Sequence, residues 1–258
     1  MTNYDMTQAE RRLPTKLEFQ VIIDAIFEIR FNASQGVADL LPGTMLNLFE
    51  TQPQVERLPL ADVPAQIRIQ QPDLAHQPII RLVWATHAIF IGERMLGIAC
   101  KVPYPGWGKF KEIISTTINH LANLNIIEAP NKFSVKYIDF LPNEKFPEGM
   151  PLLNWQLSIG ESSLVGEAVS LKSQQKVGEF VVVRDIHSCA EVQVQGGPKQ
   201  SGVLLATDVA RIQDSPKEWA VFLQSFDADI DALHNEGKRQ FFNCLTKEAI
   251  DILNPTYA

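Results

Sequence analysis

Hydrophobic and polar residues alternate strictly over the stretch FQVIIDAIFEIRF, residues 19–31. Every second position in it is apolar: Phe19, Val21, Ile23, Ala25, Phe27, Ile29 and Phe31. Successive side chains of a β-strand point to opposite faces, so these residues would form one dry face and Asp24, Glu28 and Arg30 would lie on the other. The apolar positions also fit a helix, but the many β-branched and aromatic residues favour a strand, at least over residues 22–31.

The same kind of pattern predicts the next elements along the chain. Residues 36–50 are typical of a short helix interrupted by Pro42, and a further strand is predicted over KFSVKYIDFL. Apolar residues three and four positions apart predict a helix near residues 106–124. Between the two helices lie three runs that we interpret as strands: AQIRIQ, QPIIRLVWA and HAIFIGERMLGIAC.

The last hundred residues combine short strands with a long helical segment. Short runs punctuated by glycine over residues 152–212 predict an antiparallel meander. The helix would start with Ser215 as N-cap and Pro216 in its first turn. Gly237 is expected to break or bend it, and Thr246 is a candidate cap for a further helix at the end of the chain.

Strands grouped together, with helices to one side, predict an α+β fold in which antiparallel sheets carry the helices on one face. We expect two intimately associated halves. The predicted organisation is a mobile tail at residues 1–15, an α+β half at 16–142, a linker at 143–151 that is rich in proline, and a half at 152–258 with the meander and the terminal helices.

Composition limits the classes of function. The 258 residues carry a net charge of −7, with 45% hydrophobic residues, which is ordinary for a folded globular protein. An acidic balance argues against nucleic-acid binding through a general basic surface. No stretch has the roughly 20 apolar residues of a membrane helix, the polar start is unlike a secretory signal, and three scattered cysteines are typical of a reducing cytoplasm.

The charged residues of the first strand are poor candidates for paired catalysis. On a strand that rises about 3.3 Å per residue, Asp24 and Glu28 would be about 13 Å apart, and paired glycosidase carboxylates span about 5–9.5 Å. Glu28 and Arg30 are two positions apart on one face, which favours an ion pair.

Three similar tripeptides place an arginine between apolar residues, at Arg30, Arg68 and Arg81. If their strands pair in a compatible register, the arginines form a row on one sheet face that could bind a carboxylate, a phosphate or an acidic partner, with Asp24 and Glu28 beside it. The alternative is that each arginine pairs with a neighbouring acid such as Glu28, Glu93 or Asp139.

Other candidate chemistry is sparse. His187 and Cys189 could face one metal ion, but no CxxC or HxxxH motif supplies further ligands, so we expect neither a metal nor a cofactor. A pocket between the meander and the terminal helix could use Asp24, Asp139, Asp208 or His234 for binding or acid–base chemistry.

Three stretches together resemble an uncharacterised, sporadically distributed prokaryotic protein family of about this length: LPTKLEFQVIIDAIFEIRF, YPGWGKF and LHNEGKRQFFNCLTKEAIDILNP. The family pattern has Pro-Ile-x-Glu where this chain has Val21-Ile22-Ile23-Asp24, which keeps the acid but puts a turn at the proline in doubt. The resemblance implies no known reaction. Its patchy distribution is compatible with mobile loci for antiviral defence or stress response.

We therefore weigh three functions, and the sequence leaves the oligomeric state open. The leading hypothesis is a non-enzymatic binding or adaptor protein whose partner is another protein, in a prokaryotic defence or regulatory system. The second is a small-molecule-binding protein or acid–base enzyme with a pocket beside the C-terminal helix. The third is nucleic-acid binding through the arginine row, whose affinity would fall steeply with salt.

Overall fold

The structure, a computed structural model, describes residues 13–33, 36–193, 197–215 and 217–257. They form a large antiparallel sheet with helices, which confirms the predicted α+β class. The helices are α1 Val37–Met45, α2 Ala65–Gln70, α3 Pro72–Ala75, α4 Trp107–Leu124, α5 Trp219–Cys244 and α6 Lys247–Ile252. The strands are β1 Lys16–Leu17, β2 Ile22–Arg30, β3 Gln54–Arg57, β4 Ile80–Val83, β5 His87–Ile91, β6 Met95–Cys100, β7 Lys132–Pro142, β8 Ser158–Ile159, β9 Ser162–Ser163, β10 Ser170–Val177, β11 Phe180–Gln193, β12 Lys199–Ile212 and β13 Pro255–Thr256.

Nine strands pair in the order β10-β11-β12-β7-β2-β6-β5-β4-β3. The central strand β7 pairs with β2 from the first predicted half and with β12 from the second. The sheet is therefore continuous across the predicted linker, and the division into two halves stays a prediction. A separate two-stranded pairing joins β1 to β13, with Lys16 opposite Thr256, and so brings together the two ends of the described chain.

Strand β2 confirms the interpretation of the opening alternation. Ala25, Phe27 and Ile29 are almost completely buried, while Glu28 and Arg30 on the other face remain partly exposed. A β-bulge interrupts the pairing of β2 with β7 between Ile22 and Asp24. Bulges bend a strand locally and are frequent beside functional sites.

Helices α1, α4 and α5 share one hydrophobic core with the buried face of β2. Aromatic rings join the sheet to α5: Phe27 lies 6.0 Å from Phe226, and Phe133 lies 5.5 Å from Phe222, between ring centroids. The buried residues of α5 recur every three or four positions because that spacing places them on one side of a helix. Among the helices of the described residues, none is long and apolar enough to cross a membrane.

Two expectations about secondary structure are wrong. The run AQIRIQ is the helix α2 and not a strand, because Pro64 stands at its N-cap and the side chain of Arg68 reaches a buried acid. Gly237 does not break α5, since the helix runs through it without interruption.

The ends of the terminal helices give one correction and one confirmation. Helix α5 begins at Trp219, after Glu218, without a side-chain cap, so Ser215 does not cap it. Pro216 lies outside the described residues. Thr246 does cap α6, since its Oγ1 accepts a hydrogen bond of 3.2 Å from the backbone N–H of Ala249.

Candidate functional site

A cavity of about 440 Å³ lies between β7, α5, the segment 14–22 and the loop 104–107. This volume is within the range of about 300–1,000 Å³ that is typical of ligand pockets. Its apolar lining includes Leu17, Val21, Ile22, Phe241 and Phe242. The polar side chains that line it are Thr15, Lys16, Glu18, Gln20, Tyr104, Tyr137, Asp139, His234 and Lys238.

The alternation of β7 directs Tyr137 and Asp139 to the same side of the sheet, the side on which α5 packs. Both side chains are buried, with 5% and 3% of their surface exposed. Ile22 and Leu205 stand opposite Asp139 on the two neighbouring strands. The bulge of β2 begins at Ile22, so the sheet is irregular beside Asp139.

Helix α5 contributes His234, Gly237, Lys238 and Phe241 to the cavity wall, at positions three and four apart on one face. The ring of Tyr137 lies 3.6 Å from the point where a side chain at Gly237 would begin. A glycine inside a helix costs about 0.5–1 kcal/mol relative to alanine. Its place here lets the helix lie directly over the tyrosine.

A chain of hydrogen bonds connects the loop to the helix. The hydroxyl of Tyr137 shares a hydrogen bond of 2.8 Å with Nδ1 of His234 and lies 3.4 Å from the hydroxyl of Tyr104. Burial lowers the pKa of His234 to about 4, with a further contribution from the charge of Lys238. The imidazole is therefore neutral at physiological pH.

Trp107 holds His234 from the other side. The two rings are stacked, with centroids 4.3 Å apart and planes within 5° of each other. The indole N–H of Trp107 donates a hydrogen bond of 2.7 Å to Asp231, which also accepts one of 2.7 Å from Lys111. Gly106 allows this arrangement, because its φ of +93° just before α4 is a conformation that other residues rarely adopt.

Asp139 is the most unusual group of the cavity. None of the described residues donates a hydrogen bond to its carboxyl group or forms an ion pair with it. Burial alone raises its pKa to about 8, so the group is mostly protonated at neutral pH. Buried polar groups almost always have a partner, so this carboxyl group calls for an explanation.

The structure brings together two of the acid–base candidates from the sequence and separates the others. Asp139 and His234 both line the cavity. Asp208 stands opposite Lys136 in the register of β12 with β7, and therefore lies on the other face of the sheet. Asp24 lies on that face too, where burial raises its pKa.

The predicted arginine row does not form. Strands β6 and β5 lie between β2, which carries Arg30, and β4, which carries Arg81. Arg68 is in α2 and its side chain is buried. Each guanidinium pairs with an acid instead: Arg30 with Glu28, Arg68 with Glu93 and Arg81 with Glu56.

The structure does not place His187 and Cys189 as a pair of metal ligands. His187 contacts Asp185 at 3.1 Å and Ser170 at 2.9 Å, and the pairing of β11 with β12 shifts register between His187 and Ala190. Among the residues that the structure describes, no group of three or more His, Cys, Asp and Glu side chains could hold a metal ion.

Sequence reasoning missed Tyr104, Tyr137 and Lys238, which all line the cavity. Tyr137 had a usable signal, because it shares the parity of Asp139 on a predicted strand. Tyr104 and Lys238 had none, since a loop residue and one helical lysine carry no pattern that predicts a distant contact.

No protein-family model matches the sequence, and no curated protein is significantly similar to it. The resemblance to a prokaryotic family therefore stays a prediction. The fold and the cavity define an α+β protein in which a long C-terminal helix closes a pocket against an antiparallel sheet.

Proposed function

We propose that the protein binds a small organic molecule in the cavity between β7 and α5. The observation that carries the proposal is that polar groups with shifted pKa values converge on one mostly apolar cavity: Asp139, His234 and Tyr137. An apolar pocket with a few convergent polar groups is the usual form of a ligand site. The apolar lining favours a ligand with an apolar body and one polar end.

The wall formed by residues 14–22 offers a route for the ligand. Strand β1 pairs only with β13, through two residue pairs, and a hydrogen bond of 2.7 Å from Thr15 to Thr256 extends this contact. A short, exposed pairing of this kind opens at a smaller free-energy cost than the central sheet. A ligand could enter by local opening of this segment, while β7 and α5 stay in place.

Thermal-shift screening of a metabolite library tests the proposal, with Gly237→Leu as the blocked variant. A ligand at a hundred times its Kd should stabilise the wild-type protein by about 2.7 kcal/mol. The leucine side chain would enter the cavity beside Tyr137, so the rise in melting temperature caused by the ligand should be much smaller than in wild type. Gly237→Ala is the matched control, because its methyl group would meet Tyr137 at an ordinary contact distance of 3.6 Å and should preserve the shift.

The same experiment separates ligand binding from the other hypotheses. A library without any stabilising compound, or shifts that are equal in Gly237→Leu and wild type, would count against the cavity. The adaptor hypothesis stays a prediction, and binding of a protein partner to an exterior surface would survive the leucine. An acid–base enzyme would also lose activity in Gly237→Leu, but would turn over its ligand when wild-type protein is incubated with it.

The stability of Gly237→Ala is itself a prediction. We expect the variant to be more stable by about 0.5–1 kcal/mol, because alanine restricts the unfolded chain and favours the helix. Urea unfolding measures the difference. Gly108→Ala in the first turn of α4 is the reference, since nothing lies within 4 Å of its added methyl group. If Gly237→Ala is less stable than wild type, the ring of Tyr137 is held more tightly against the helix than a contact of 3.6 Å implies.

A further inference from the structure

We propose, resting on the proposed function, that the ligand is an organic cation, an ammonium group on an apolar or aromatic body, and that Asp139 is its counter-ion. The surroundings of this one carboxyl group favour a cation. Asp139 is 3% exposed, lines the cavity and has no partner among the described residues. Its neighbours on both adjacent strands, Ile22 and Leu205, are apolar and offer no side-chain donor.

A ligand that donates hydrogen bonds would remove the cost of leaving this group buried without a partner. An ammonium group suits the site better than a neutral donor, because it brings three hydrogen-bond donors. It also brings the positive charge that would balance an ionised Asp139. Hydrogen bonds between ionised groups are about twice as strong as neutral ones. The aromatic rings of Tyr104, Tyr137 and Trp107 line the same cavity, and aromatic rings attract cations.

Most other titratable groups around the cavity are uncharged at neutral pH. His234 faces it from α5 with a pKa of about 4 and is neutral. Burial holds the pKa values of Tyr104 and Tyr137 well above the usual range, so both phenols keep their protons. Burial also raises the pKa of Cys244, near the end of α5, so its thiol is neutral too. None of these groups supplies a counter-ion for Asp139.

Besides Asp139, the cavity wall carries three charged side chains, from α5 and from the segment 14–22. Arg184 of β11 lies beside Cys244 but does not line the cavity, and it donates hydrogen bonds to Gln240 and Gln175. Glu18 and Lys16 are exposed, and Glu18 already accepts a hydrogen bond from the side chain of Asn254. Lys238 is half-buried, burial lowers its pKa, and it forms no ion pair with Asp139. It is therefore a like charge for the ligand, and Lys238→Gln should strengthen binding of a monoamine.

Binding of an ammonium ion would be coupled to release of a proton. Free Asp139 holds its proton below about pH 8, and the carboxylate that pairs with the ligand does not. One proton therefore passes from Asp139 to solvent for each cation bound. Affinity should rise about tenfold per pH unit below that value and level off above it, until the amine loses its own proton.

Three probes with one skeleton test the inference on the full chain: phenethylamine, phenethyl alcohol and phenylacetate. Calorimetry between about pH 6 and about pH 8 should show amine affinity that rises with pH, together with proton release in buffers of different ionisation heat. The alcohol should show no such rise, and phenylacetate should bind more weakly as pH rises. Asp139→Asn should lose the pH slope and at least about tenfold in amine affinity, while it still binds the alcohol. Asp214→Asn, at an exposed carboxyl group outside the cavity, should keep both the pH slope and the amine affinity of wild type.

The outcomes separate the inference from the proposed function. Near pH 8, where amine affinity should be highest, tighter binding of the alcohol or of phenylacetate than of the amine would overturn the cation and leave the cavity as a ligand site. The cation would also be overturned if the amine binds Asp139→Asn as tightly as wild type, or if its affinity for wild type does not change with pH. If Lys238→Gln weakens amine binding, the assignment of Lys238 as a like charge, and with it the cation, is wrong. If none of the three probes binds and the library gives no shift, both proposals fall.

Discussion

Arg68→Ala should destabilise the protein by about 3–5 kcal/mol. The guanidinium of Arg68 donates hydrogen bonds of 2.9 and 2.6 Å to one carboxylate oxygen of Glu93, and the two side chains are only 6% and 3% exposed. It also donates to the backbone carbonyl of Val63. Alanine would leave the carboxylate of Glu93 buried without its counter-ion, which is the most costly way to break such a pair. Urea unfolding at neutral pH measures the loss.

Two comparisons isolate this cause. Arg57→Ala removes an arginine whose ion pair with Asp62 is largely exposed, and should cost less than about 1 kcal/mol. The double variant Arg68→Met and Glu93→Leu removes both charges and should recover most of the stability, because well-packed apolar residues often replace a buried pair without loss. If Arg68→Ala costs no more than Arg57→Ala, the pair contributes little and α2 is held by other contacts.

Asp139→Asn should stabilise the protein increasingly as the pH rises. The pKa of Asp139 is about 8 in the folded protein, against 3.8 for an ordinary aspartate. Between these values the folded chain keeps a proton that the unfolded chain releases, so wild-type stability falls by about 1.4 kcal/mol per pH unit. Above about pH 8 both states are ionised and the loss stays constant. Asparagine does not titrate, so the variant should gain several kcal/mol over wild type at alkaline pH and little near pH 4.

Urea unfolding of both proteins near pH 5 and near pH 8 measures this difference. Asp214→Asn, at an exposed aspartate, is the matched control. Its free energy of unfolding should stay close to that of wild type at both pH values. The difference in free energy of unfolding between Asp139→Asn and wild type could also be the same at both pH values. That result would show that the carboxyl group titrates normally, and it would remove the basis for an ionisable counter-ion in the cavity.

The local sequence predicted those elements whose pattern is long or chemically specific. Strand β2 and helix α4 follow from apolar periodicity over nine and eighteen residues, and the cap of α6 follows from the hydroxyl group of Thr246. The strand prediction for residues 65–70 was wrong, because three alternating apolar positions fit a strand and a helical turn equally well. The state of these residues was decided by the buried contact of Arg68 with Glu93, twenty-five positions away.

The sequence by itself determined the α+β class, the dry and charged faces of β2, and the side of β7 on which Asp139 lies, because these depend on repeats of two and of about 3.6 residues along the chain. Only the tertiary structure decided which residues meet. His234 reaches Tyr137 across 97 positions, and the cavity needs four separate segments of chain. Strand order and helix docking depend on the sum of many distant contacts, and no local pattern records that sum. Distant contacts also decided the pairing of two arginines, because Arg68 meets Glu93 and Arg81 meets Glu56, each twenty-five positions away.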